Sequence, residues 1–118
     1  LLRSIKDKQI NIYGGLNQFR SNLYISDAIN MIIKSLVSFN REIFNISNNK
    51  MTTIKQMVKI ISKISNKKMK KHKNSFKGSP QIIKISNKKI LNATKYEIST
   101  DLKKGIIKTY NWYLNLAK

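Results

Sequence analysis

The chain has 118 residues, 41% of them hydrophobic, and sets 24 Lys and Arg against 5 acidic residues, a formal net charge of +19. That length is one domain's worth, and the apolar content belongs to a folded chain rather than a disordered one. The absence of cysteine excludes disulfides, zinc-thiolate centres and thiol catalysis, and no apolar run approaches the roughly 20 residues that span a bilayer.

In chain order, Leu1 opens an amphipathic-looking segment in which Arg3, Lys6, Asp7 and Lys8 stand where a signal peptide would be apolar. The expectation is a piece of a longer, cytoplasmic protein. "QINIY" (9–13) alternates polar and apolar residues up to Gly14-Gly15, which predicts a strand entering a turn. "SDAINMIIKSLVS" follows as a helix, capped by Ser26 and Asp27, with Ala28, Ile29, Ile32, Ile33, Leu36 and Val37 as its expected core face. "REIFNIS" (41–47) reads as a short apolar strand closed by Asn48 and Asn49.

Thr53 and Gln56 have capping-box spacing at the head of a second helix, whose stripe is Ile54, Met57, Val58, Ile61 and Ile64. "NKKMKKHKN" (66–74) is a basic loop or edge strand. "QIIKIS" (81–86) is a candidate strand and "NKKILN" a short helical turn. The last helix, "STDLKKGIIKTYNWYLNLA", has Ser99 or Thr100 as its cap and Leu102, Ile106, Tyr110, Tyr113, Leu114 and Ala117 as its stripe. Gly105 inside it costs roughly 1 kcal/mol relative to Ala, which implies a close packing contact. The whole reads as one α/β unit over residues 1–118, in β-α-β-α-β-α order and without an internal repeat.

The residue inventory offers binding rather than catalysis. Four of the five acids, Asp7, Asp27, Glu42, Glu97 and Asp101, fall at helix starts or in exposed polar settings, and no two are spaced as an acid/base pair. His72 is the only histidine and lies in a lysine run, where solvated surface is its expected place, and no metal site can be assembled. Four glycines, at 14, 15, 78 and 105, make neither a dinucleotide fingerprint nor a P-loop, and no tyrosine is followed four residues later by lysine.

The charge leaves two accounts open. One is a small basic RNA- or DNA-binding protein that uses "NKKMKKHKNSFK" to track phosphates. The other is composition alone: Lys, Ile, Asn and Ser have A/T-rich codons, and Arg, the better phosphate ligand, is confined to Arg3, Arg20 and Arg41.

Three stretches carry a resemblance to a known family. "IYGGLNQFRSNLYISDAI" resembles the glycine turn, glutamine, arginine and "Y-V-x-D" helix start of the extended short-chain dehydrogenase/reductases, the NAD-dependent nucleotide-sugar epimerases and dehydratases. "IFNISNNKMTTIKQMVKII" is similar to their "x-N-I/V-G-x-G" strand and capped helix. "FKGSPQIIKIS" with "STDLKKGIIKTYNWYLN" is similar to their "G-D/T-P" loop and final helix, and Gly105 falls on a family glycine.

The resemblance runs from about Ile10 to Leu116 and implies the C-terminal, substrate-binding portion of a Rossmann-type enzyme. It implies that Arg20 reaches the diphosphate of a nucleotide sugar. Gln18, on the same side of the strand, bonds phosphate or ribose, and Tyr13 packs against the nucleotide. Lys77 and Ser79 stand in the "FKGSP" loop where the family often has arginine and aspartate, and Asn22 and Gln81 also depart from its pattern. "GSP" and "KTYNWYL" lean toward the GDP-fucose synthase-like branch.

NAD or NADP belongs to the full-length family, in an N-terminal domain with a Tyr-x-x-x-Lys centre that this chain lacks. The expectation is a substrate-binding portion that is inactive and binds no cofactor alone. Its partners would be a nucleotide-diphosphate sugar and a missing or separately encoded nucleotide-binding domain, with apolar surface left open toward that domain.

Overall fold

Four short strands and four helices follow one another in a computed structural model that describes residues 5–38, 41–72 and 80–116. They are β1 (Ile10–Tyr13), β2 (Phe19–Ser21), α1 (Ile25–Ser38), β3 (Met51–Thr53), α2 (Ile54–Ser65), β4 (Met69–His72), α3 (Lys88–Thr94) and α4 (Leu102–Leu116). The expected α/β alternation is present, with β2 inserted after β1 and α3 before α4. β1 pairs in parallel with β4, in register Ile10 with Met69 through Tyr13 with His72. β2 pairs antiparallel with β3, and a single parallel bridge joins Phe19 to Ile82 on its other side.

Local chemistry explains several boundaries. Thr53 accepts from the Gln56 amide while Gln56 Oε1 accepts from the Thr53 amide, a complete capping box. Asn66 closes α2 in the left-handed conformation, and Val58 and Ile61 are buried from its predicted stripe. At α4 the cap is Asp101, whose Oδ1 accepts from the Lys104 amide at 2.7 Å; Ser99 and Thr100 turn their amides to Asp27 instead.

Gly105 is buried, and a Cβ there would lie 3.2 Å from Tyr24 Cδ2 and 3.7 Å from Thr100 Cγ2, which is the close contact its position implied. A branched side chain has no room there. Gly105→Val is expected to cost about 1–3 kcal/mol in a urea titration, through overpacking against Tyr24.

Other expectations are corrected. Residues 41–47 form no strand; Ile43 is exposed, and Ser47 and Asn87 tie the segment to 85–87 through Ser47–Ile85 and Asn87–Ser47 hydrogen bonds. From 81–86 only Ile82 makes a bridge. The β4 strand does form within the basic run.

The largest correction concerns α1. Its buried residues are Asp27 and Met31, and the helix packs against α3, where Ile90 is likewise fully buried. Of the expected core face Ala28 is half-buried, while Ile29, Ile32, Ile33, Leu36 and Val37 are exposed. The polar contacts of Asp27 turn that side of the helix inward, and periodicity cannot report them.

The molecule is a thin slab, 48 × 37 × 18 Å, with a radius of gyration of 16.6 Å, where a closed 118-residue domain would have about 13.5 Å. It exposes 8963 Å², against about 6,600 Å² expected of a closed monomer of this mass.

Candidate functional site

β1 is followed at once by Gly14, whose φ of 118° is a left-handed conformation that favours glycine. The turn is then tied to the start of α2: Leu16 and Gln18 carbonyls accept from the Lys55 and Ile54 amides at 2.9 and 3.0 Å. Emerging from it, β2 runs between β3 and residues 80–82, with the Phe19 amide bonded to the Gln81 carbonyl at 2.8 Å. Arg20 therefore sits in the middle of a three-segment seam.

The Arg20 guanidinium spans that seam. Nη1 donates to the Phe19 carbonyl at 2.7 Å and to the Pro80 carbonyl at 3.1 Å, and Nη2 donates to Gln18 Oε1 at 3.3 Å. Gln18 and Arg20, both half-buried, are thus brought together with the segment that follows "FKGSP". Lys77 and Ser79 lie outside the described residues.

Tyr13 has a different neighbour. It stacks on His72 with ring centroids 4.6 Å apart and an interplanar angle of 15°, while His72 Nε2 is 2.8 Å from Asn11 Oδ1. His72 is half-buried and partnered, not the free surface group its lysine neighbours suggested.

Beside the seam, Asn48 accepts and donates across the chain. Its amide donates to Ser21 Oγ at 3.0 Å, and its Nδ2 to the Asn22 carbonyl at 2.9 Å. Asn22 Nδ2 in turn donates to Thr52 Oγ1 at 2.9 Å. Asn22, Asn48 and Thr52 line a cavity of about 460 Å³ that Tyr96 and Thr100 also border. Asn48 reads in sequence as a turn former, and no local signal marks its cross-chain role.

Among the described residues the buried charge is Asp27. Its carboxylate accepts from Tyr96 Oη at 2.7 Å, Ser99 Oγ at 3.0 Å, and the Ser99 and Thr100 amides at 3.1 and 3.2 Å. Burial alone would raise its pKa, but the hydrogen bonds from Tyr96, Ser99 and Thr100 together outweigh it and lower the value to about 2. A group so fully occupied is a structural anchor between α1 and the loop before α4.

Among the described residues the glycines make no dinucleotide cradle. Gly14-Gly15 leads into β2 rather than a helix, and Gly105 is packed inside α4. Among the described residues no group of three His, Asp or Glu side chains can hold a metal ion, and no helix is long and apolar enough to cross a membrane.

Comparison with known structures matches this architecture as a whole. A UDP-glucuronic acid 4-epimerase from Bacillus cereus, in complex with UDP-glucuronic acid and NAD, superposes with a TM-score of 0.83 at 24% identity, over 98% of this chain and 38% of its own. A UDP-glucose 4-epimerase from Thermotoga maritima, with UDP-glucose, gives 0.84 at 19% identity over 99% and 38%. A dTDP-glucose 4,6-dehydratase from Bacillus anthracis, with NAD, gives 0.81 at 21% over 96% and 36%.

The fold is one found within nucleotide-sugar epimerases and dehydratases. No family model matches the sequence. A protein of Methanocaldococcus jannaschii described as uncharacterized is 28% identical over 112 residues, 91% of this chain and 33% of its own length. The chain therefore spans between 33% and 38% of the length of these proteins.

Proposed function

We propose that this chain supplies the substrate-binding wall of an NAD-dependent nucleotide-sugar epimerase, dehydratase or reductase, with Arg20 holding the diphosphate of the sugar nucleotide. The observation that carries the reading is the meeting of Arg20, Gln18 and Pro80, residues from two distant segments, at one seam. A planar guanidinium offers paired N–H groups to phosphate oxygens and keeps its charge in a half-buried setting. Gln18 adds an amide donor next to it. Tyr13, backed by His72, presents a ring face to the base, and Lys77 and Ser79, which precede Pro80 in the sequence, remain part of the proposed set.

Fixing the diphosphate orients the hexose toward a cofactor held elsewhere. NAD supplies hydride chemistry in such enzymes; the glycines among the described residues do not fit it, so only binding and orientation are assigned to these residues. Two of the solved neighbours were captured with UDP sugars, whereas the finer sequence lean is toward GDP-fucose; competition between the two nucleotides for the same site separates them.

Titrating the isotopically labelled chain with UDP-glucuronic acid is expected to move amide resonances at 18–20 and 80–82. Arg20→Ala should weaken binding at least about tenfold, the scale of one lost charge-assisted contact. Arg20→Lys should recover only part of that, because an ammonium lacks the paired geometry. Equal affinity in wild type and Arg20→Ala refutes the role.

The exposed run Lys68, Met69, Lys70 and Lys71 favours RNA as the second reading. It requires affinity that falls steeply with salt.

A further inference from the structure

β1 and β4 run parallel, and Tyr13 and His72 are partners in the last position of their register. Ile12 turns into the core, so Asn11 and Tyr13 share the opposite face of β1. Neighbouring strands lie about 4.8 Å apart, and the two rings lie flat on one another, with centroids 4.6 Å apart at 15°. The imidazole is also held at its edge. Its Nε2 is 2.8 Å from Asn11 Oδ1, an oxygen with no proton to give, so His72 donates there. Gln9 Nε2 donates to the same oxygen at 3.2 Å and orients the Asn11 amide. Tyr13 itself is 52% exposed. A Cβ on the adjoining Gly14 would meet nothing within 4 Å, so the space past the end of β1 is open.

We propose that His72 is a positioning residue for the base of the nucleotide sugar: it holds the Tyr13 ring in one orientation, so that a planar nucleobase stacks on the ring's outer face. The inference rests on the substrate-wall reading and adds to it a residue that does not itself touch the ligand. An exposed tyrosine at a strand end samples several rotamers, and ordering it at the moment of binding subtracts from affinity. A ring already laid against a fixed imidazole escapes that cost, and any nucleobase has a π-face to offer it. The position of the pair favours this role over support of the ladder alone. It sits on the face turned away from the core and at the end of the pairing, where a stack adds little burial. The same end leads through Gly14-Gly15 to Gln18 and Arg20, the residues proposed for the diphosphate.

The test measures dissociation constants by NMR on the full chain, with UDP-glucuronic acid and with inorganic pyrophosphate, which carries no base. His72→Ala is expected to weaken UDP-glucuronic acid about three- to tenfold, the cost of one side chain ordered only on binding, and to leave pyrophosphate affinity unchanged. His72→Phe keeps a flat partner ring and should match wild type with both ligands. Because His72 acts through Tyr13, Tyr13→Ala/His72→Ala should bind no more weakly than Tyr13→Ala alone. In wild type the bound uracil H5 and H6 should show nuclear Overhauser contacts to the Tyr13 ring, a result that decides even where a variant fails to fold.

Equal UDP-glucuronic acid affinity in wild type and His72→Ala overturns the inference. So do equal losses for both ligands, a His72→Phe variant as weak as His72→Ala, additive losses in the double variant, or no uracil contact to Tyr13. Oligouridylate bound more tightly than UDP-glucuronic acid, and lost in His72→Ala, would assign the stack to RNA and likewise overturns it. Arg20→Ala separates this inference from the reading beneath it. A loss in Arg20→Ala with none in His72→Ala keeps the diphosphate role and removes only the stack. A base-dependent loss in His72→Ala, with affinity indifferent to Arg20, keeps the stack and removes the diphosphate role. A chain that binds neither ligand removes both.

Discussion

Replacing Asp27 by Asn is expected to destabilise the chain by about 2–3 kcal/mol at neutral pH, the range for hydrogen bonds to a charged acceptor. The carboxylate receives four donors from Tyr96, Ser99 and Thr100. An amide supplies one acceptor oxygen and turns an N–H₂ group toward donors that need an acceptor. The pH dependence identifies the cause. A carboxyl lowered from 3.8 to about 2 is charged more readily in the folded chain than in the unfolded one. Its stabilisation, about 2 kcal/mol, is complete above about pH 4 and disappears as pH falls through 2. The gap between wild type and Asp27→Asn in urea titrations should therefore be constant from pH 7 to 5 and close toward pH 2. A gap that stays open at pH 2 would assign the loss to packing instead of charge.

Asp27 also shows what a single sequence discloses and what it withholds. At the start of a helix an aspartate reads as a complement to the helix dipole, which is correct and incomplete. Its partners lie about seventy residues away, and no local pattern announces them. The Thr53–Gln56 capping box closes within four residues, and it was fully legible. Likewise Gly105 departs from helix propensity, and a departure of that kind points to a neighbour even before Tyr24 is known to be there.

Arg20 is intermediate between these cases. Its residue type and place after the glycine turn carried the resemblance, while its bond to the Pro80 carbonyl depends on a tertiary meeting of two segments. Residues 41–47 and 81–86 alternate like strands yet form no regular ladder, since alternation reports which side chains want burial and not whether a partner edge is at hand. His72 was read from its lysine neighbours along the chain, whereas its environment is set across the ladder by Asn11 and Tyr13.

The two faces of α1 convert that distinction into a measurable contrast. Met31 is fully buried on a helix that packs against α3, whereas Leu36, five residues later on the same helix, is 72% exposed. Met31→Ala is expected to cost about 2–5 kcal/mol, from lost apolar transfer and the cavity left behind. In a slab with little core to spare, a loss at the upper end unfolds the chain near room temperature. Leu36→Ser should stay within about 0.5 kcal/mol of wild type, because its side chain is already in water. Hydropathy alone ranks the two substitutions the other way, with leucine the more apolar residue on the more apolar face. Paired urea titrations decide between them: a larger midpoint shift for Leu36→Ser would mean that the helix is rotated about its axis from the arrangement described, with Leu36 inward and Met31 outward.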